Sequence, residues 1–314
     1  MPRKLTIDSL KAEAAGLQEL LREAEAYGDT VGELQYKERL EDIAHERQSL
    51  AATDCHQASI ALLFSGKPVF GSRGIAAEFA GKLLESYQDI VSKTFARAEI
   101  GSLGERGRVP MKQSTNLMVT GLTHGSFGFI LEELSDQAEL HDTALKEIVA
   151  SVSDLLQHVS AESESQFDTA AEDLDPRTLV ALRDFFKGLD TSEAAVRFVE
   201  DDREFFLDEG AVHRGRMRTE ATEIDEKPEV IEGILMGFLP DHRKFELREA
   251  NGTTIYGTVS KEAAEQFVKS VQYQEAVIGE TCEAEFIIRE IRQINRPARL
   301  TYRLIGFHKI GRKA

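Results

Sequence analysis

Along the chain the apolar positions fall into two patterns, one with helical spacing and one with strand spacing. Residues 8–52 carry the helical kind. Leu10, Leu17, Leu20, Leu21 and Ala24 form one stripe. Val31, Leu34, Leu40, Ile43 and Leu50, with Tyr36, form a looser second. Tyr27-Gly28-Asp29-Thr30 separates them, with Gly28 suited to a C-cap and Asp29 or Thr30 to an N-cap. The pattern predicts a helical hairpin over residues 1–52. Such a hairpin buries little by itself, so its seam is expected to pack on the body or on another subunit.

Strand spacing begins at Ser59–Phe64, an apolar run bounded by Ser65-Gly66-Lys67-Pro68 and followed by Val69-Phe70-Gly71, which reads as a β-hairpin. A helix follows, with Ile75, Phe79, Leu83, Tyr87, Ile90, Val91 and Phe95 on one side. The order then recurs. Residues 116–121 and 126–131 flank a glycine-rich turn, and Leu140, Leu145, Ile148, Val149, Val152, Leu155 and Val159 form the next helical stripe. Two strand–strand–helix units within residues 53–160 predict an antiparallel sheet with both helices on one face. Residues 161–228 read as an acidic helical connector, with a polar stretch to 175, a helix starting at Asp175-Pro176, a strand over Ala195–Val199, a helix over Asp208–Arg218 and a boundary at Pro228.

From 229 the alternation sharpens. Val230–Phe238 is a strand. Lys244–Arg248 alternates and ends at Asn251-Gly252, a strong hairpin signal. Thr253–Val259 returns, Ser260 caps a helix, and Cys282–Ile291 and Leu300–Leu304 are two further strands. Three strands, a helix and two strands is the order of a five-stranded OB barrel, and residues 229–314 resemble that fold. The resemblance implies a small β-barrel whose second and third strands are a surface for nucleic acid, oligosaccharide or protein. The fold class expected is therefore α+β.

Charge changes the picture along the chain. The net charge is −17, from 55 acidic and 38 basic groups. Residues 161–232 hold 21 acidic against 9 basic groups, while 233–314 hold 10 against 13. The basic end offers Arg289, Arg296, Arg299 and Arg303 as partner-binding candidates. They could meet nucleic acid, or the acidic middle of a second copy. Cross-strand pairing with Glu246, Glu283 and Glu285 would account for them without a ligand. The overall −17 opposes approach of a polyanion.

Candidate chemistry is sparse. Ser72, Arg73 and Gly74 precede a helix, where backbone N–H groups and a guanidinium suit an anion. His124, Ser126 and Glu132 form a weak enzyme candidate; Glu132, Glu133 and Asp136 equally suit the first turn of the following helix. No catalytic motif stands clear of chance. No metal-ligand spacing or cofactor motif occurs, and neither a metal nor a cofactor is expected. Cys55 and Cys282 make no disulfide framework, and no apolar leader follows Met1. No run of 18 apolar residues is present, so no membrane span is expected. The leading expectation is a cytoplasmic, homo-oligomeric interaction or scaffold protein. The alternative is nucleic-acid binding through the barrel, and an enzyme around Arg73, His124 and Glu132 comes third.

Overall fold

The computed structural model describes all residues except 53–54, 102, 104–106, 124–126, 136–140, 173, 270–277, 295 and 310–314. The fold is α+β: a helical pair, a body built on one antiparallel sheet, and a closed five-stranded barrel.

Helices α1 (Arg3–Tyr27) and α2 (Thr30–Ala52) form the hairpin. Gly28 ends α1 with φ 72, in the left-handed region that glycine adopts without a Cβ penalty. Asp29 Oδ1 accepts from Gly32 N at 3.0 Å and starts α2. Leu10, Ala24 and Ile43 are buried, but Leu20, Tyr27, Val31 and Leu34 are exposed, so the tip of the seam is uncovered. The base is tied down. Arg3 pairs with Asp201, Lys4 with Glu204, and the Met1 ammonium with Glu132.

The body sheet runs β4 (Met118–Thr123), β5 (Phe127–Glu132), β1 (Ser59–Gly66), β6 (Ala194–Glu200), β7 (Arg203–Leu207), all antiparallel. Register sets Leu62 between Phe129 and Phe198, with Phe205 beyond. This face carries α3 (Ala77–Ile100), α4 (Ala144–Ser160) and α6 (Pro176–Thr191). The predicted stripe of α3 is buried from Phe79 to Phe95. Ala61, Leu63, Ile130 and Val199 point to the opposite face, where Leu5 of α1 packs on them.

Three features depart from the sequence reading. First, β2 (Val69–Phe70) pairs with β3 (Gly74–Ile75), not with β1. Both edges of β1 are already occupied, by β5 and β6. Second, residues 161–228 are more than a connector. They supply β6, β7, α5 (Glu164–Glu172), α6 and α7 (Glu209–Glu220). Phe167, Phe185, Phe186, Val196, Phe198 and Leu207 all enter the main core. Third, β8 (Thr222–Leu239) runs straight through the expected boundary. Pro228 is tolerated because β8 there pairs only with β11; its pairing with β9 begins at Gly233.

The barrel consists of β8, β9 (Lys244–Glu249), β10 (Thr254–Val259), β11 (Thr281–Gln293) and β12 (Arg299–Lys309), with α8 (Lys261–Lys269) between β10 and β11. Its order is β10-β12-β11-β8-β9, closed, with β10 and β12 parallel. This is the connectivity of an OB-like Greek-key barrel. Leu235, Phe245, Leu247, Ile255, Phe286 and Leu304 fill it, and α8 closes one end through Ala263, Ala264 and Phe267. Gly257 is required by the wall itself: a Cβ there would lie 2.0 Å from the Tyr302 carbonyl oxygen. Among the described residues no helix is long and apolar enough to cross a membrane.

Candidate anion-binding cleft

The four arginines of the basic end meet two different fates. Arg289 is 3% exposed; its Nε donates to Glu226 Oε1 at 2.5 Å and its Nη1 to the Glu172 carbonyl at 3.2 Å. Its Nη2 has no partner among the described residues. Arg296 pairs with Asp168 at 3.1 Å and Glu164 at 3.0 Å. Arg299 pairs with Glu172 and, at 3.7 Å, with Asp168. Three of the four are thus neutralised by carboxylates of α5 and β8 in the same chain. The strand glutamates Glu246, Glu283 and Glu285 are not their partners. Glu164, Asp168 and Glu172 recur every four residues and so share one face of α5. Phe167 and Ala171 anchor its other side in the core.

Arg303 differs. It stands opposite Thr258 on β10 and Ile287 on β11. No hydrogen bond or ion pair within 4.0 Å involves its guanidinium among the described residues. Burial pushes its pKa down, the Arg289 and Arg243 guanidiniums add to that, and Glu262 and Glu226 offset part of it. Its Nη2 reaches the C-cap of α3, where a Cβ on Gly101 would sit 3.5 Å away. The partial negative charge of that helix end is some compensation, though less than a carboxylate gives.

Arg303 lines a cleft of about 620 Å³ between body and barrel. The body contributes Thr94 and Arg97 from α3, and Ser151 and His158 from α4. The barrel adds His242, Arg243, Lys244 and Thr258. Arg243 holds φ 49, a left-handed conformation that costs a non-glycine residue roughly 1–2 kcal/mol. The turn after β8 accepts that strain at the rim of the cleft. Among the described residues Asp154 is the only carboxylate on the wall, and Arg203 engages it. The Thr94 hydroxyl is buried without a hydrogen-bond partner among the described residues. The wall is therefore cationic, with hydroxyls interspersed, and of a size that holds a small ligand.

Next to the cleft lies the outer face of β9 and β10. Lys244, Glu246 and Arg248 alternate outward on one strand, facing Thr258, Tyr256 and Thr254 on the other. Tyr256 is 77% exposed.

The other candidates are placed elsewhere. Ser72, Arg73 and Gly74 lie in the β2–β3 turn and at the start of β3, not in the first turn of α3, which begins at Ala77. Arg73 stacks over the Phe70 ring at 4.5 Å. His124, Ser126 and Asp136 lie outside the described residues. Glu132 ends β5, roughly 17 Å along the strand from Phe127. It accepts from Ser59 Oγ, Thr120 Oγ1 and the N-terminal ammonium. Burial pushes its pKa up, but the ammonium and the two hydroxyls prevail and hold it below the usual value. Glu133 Oε2 accepts from Ala58 N and Thr143 Oγ1 and ties the sheet to the start of α4. Both glutamates are thus engaged in structural bonds. Among the described residues no group of three or more His, Cys, Asp or Glu could hold a metal ion.

The sequence picked out Arg303 but not its neighbours. Thr94, Arg97, Ser151 and His158 are far from it in the chain, and only the docking of barrel on body unites them. No protein-family model, curated protein or solved structure matches this chain.

Proposed function

We propose that the protein binds single-stranded nucleic acid on the β9–β10 face of the barrel, with the cleft cations holding phosphates. The observation that carries this reading is Arg303. It is half-buried and has no carboxylate partner among the described residues, in a chain whose other candidate arginines are all paired. Exposed Tyr256 offers a ring for base stacking; Glu246 stands directly opposite it, with Lys244 and Arg248 on its two diagonals supplying the cations that sequence-tolerant single-strand binding pairs with a stacking ring. Both cysteines are free thiols, which suits the reducing cytoplasm. This is a binding function and needs no catalytic group.

Fluorescence anisotropy of a labelled oligothymidylate of about 16 nucleotides, titrated across a range of salt, tests it. Three phosphate contacts, from Arg303, Arg243 and Lys244, predict a slope of log affinity against log salt near −2. No binding at low salt rejects the reading.

A second reading keeps self-association through the helical hairpin. Its motivation is narrower than the sequence suggested, because the acidic α5 is already engaged by its own basic end. What remains is the uncovered tip, with Tyr27 88%, Leu34 69% and Val31 67% exposed. Light scattering decides: a monomer at micromolar concentration, unchanged by Tyr27→Glu, rejects it.

A further inference from the structure

The surface around the barrel has a free side and a blocked side. On β9 and β10 the outward positions are open, as Tyr256 shows. Past β10 comes β12, where the end of α3 lies against the Arg303 guanidinium. Further along the β8–β11 ladder the body covers the wall, with Arg289, Ile291 and Ile224 3%, 2% and 6% exposed, while Val230 on the same ladder is open at 60%. Arg303 marks the line between the two sides, because it pairs in register with Thr258 on one strand and Ile287 on the other. The cleft behind it ends against α3 and α4. A strand lying across β9 and β10 toward Arg303 cannot continue over the barrel. It must end there or turn back.

Charge favours an end. An internal phosphodiester carries one negative charge and two free oxygens. A terminal phosphomonoester carries about −1.5 to −2 and three acceptor oxygens. Arg303, Arg243 and Lys244 all line the cleft, and none has an ion-pair partner among the described residues. About 620 Å³ is room for a terminal nucleotide.

We propose that the cleft receives the phosphorylated terminus of a single nucleic-acid strand laid across β9 and β10. The proposal rests on the reading of the barrel as a nucleic-acid surface and goes further in naming the end as the recognised feature.

The test compares four labelled oligonucleotides of one sequence: 5′-phosphorylated, 3′-phosphorylated, hydroxyl at both ends, and circular. One of the two phosphorylated strands is expected to bind about tenfold more tightly than the hydroxyl-ended one, a difference of ~1.4 kcal/mol. The circle is expected to be no tighter than the hydroxyl-ended strand. Arg303→Ala should remove the preference for phosphate. Arg243→Ala, at an exposed turn residue, should reduce it and guards against a folding defect in the first variant. Arg248→Ala, on the platform but outside the cleft, should weaken all four alike. Equal binding of phosphorylated, hydroxyl-ended and circular strands overturns end recognition and leaves the nucleic-acid reading standing. Failure of all four to bind overturns both.

Discussion

The basic strand β12 and the loop before it have two ends with similar chemistry and opposite surroundings. At Arg296 and Arg299 the guanidiniums lie on α5, whose carboxylates recur at helical spacing and neutralise them. At Arg303, one turn of pleat further on, no carboxylate comes within ion-pairing distance among the described residues, and two other arginines stand close. The first end works as an internal clamp between barrel and body. The second leaves positive charge where the two units part. A count of arginines in the sequence treats these ends as equal. The docking of α5 makes one structural and the other available.

The largest expected break in this contrast is at Arg289, the most deeply buried part of the clamp. Arg289→Ala breaks the buried pair with Glu226, whose side chain is 10% exposed. That is expected to cost about 3–5 kcal/mol. Chemical denaturation would read it, and Arg289→Met paired with Glu226→Leu should recover most of the loss.

Glu200 sharpens the same contrast from the carboxylate side. It is buried, at 9% exposure, but among the described residues no arginine forms an ion pair with it, and only the Ser153 hydroxyl donates to it, at 2.6 Å. Burial pushes its pKa up, with Asp154 and Asp201 adding to that, while Ser153 and Arg203 offset part. The folded state therefore holds the proton more tightly than the unfolded chain. Its ionisation costs stability as pH rises from the unfolded value, near 4.3, toward the raised folded one. Glu200→Gln should match the wild-type melting temperature below pH 4 and exceed it at neutral pH. A variant that melts lower at neutral pH would contradict the assignment.

Smaller effects belong to the exposed clamp residues. Arg296→Ala and Arg299→Ala, at about 40% and 39% side-chain exposure, should each cost less than about 1 kcal/mol. The smallest is at Arg303. Arg303→Ala removes repulsion as well as packing, so stability should stay within about 0.5 kcal/mol of wild type. Ligand affinity should fall in the same protein. A large loss of stability there would mean Arg303 is structural and would erase the contrast.

The barrel was readable because its signals are local. Lys244–Arg248 alternates over five residues, and Asn251-Gly252 fixes the turn, where Thr253 N bonds back to Asn251 Oδ1 at 2.7 Å. Long amphipathic helices such as α3 were readable for the same reason. What escaped was non-local. β6 is apolar on both faces, because Val196 and Phe198 meet the helices while Val199 meets the α1 side. Such a run reads as a strand over Ala195–Val199, but nothing local says that it joins the body sheet beside β1. The start of β8 was hidden by Glu223, Asp225 and Glu226, yet Ile224 lies in the main core and Glu226 meets Arg289. The cleft left no trace in sequence, since its two walls lie well apart in the chain.

β8 places Ile224 in the core of the body and Leu235 in the core of the barrel, within one strand of 18 residues. Over its first stretch it is paired with β11 from Thr222 to Ile234 without a break. A ladder of that length is a stiff beam. The barrel is joined to the body through this paired strand, with no loop between them. Protease nicking between barrel and body would have to cut a paired strand, so the chain should melt in one step.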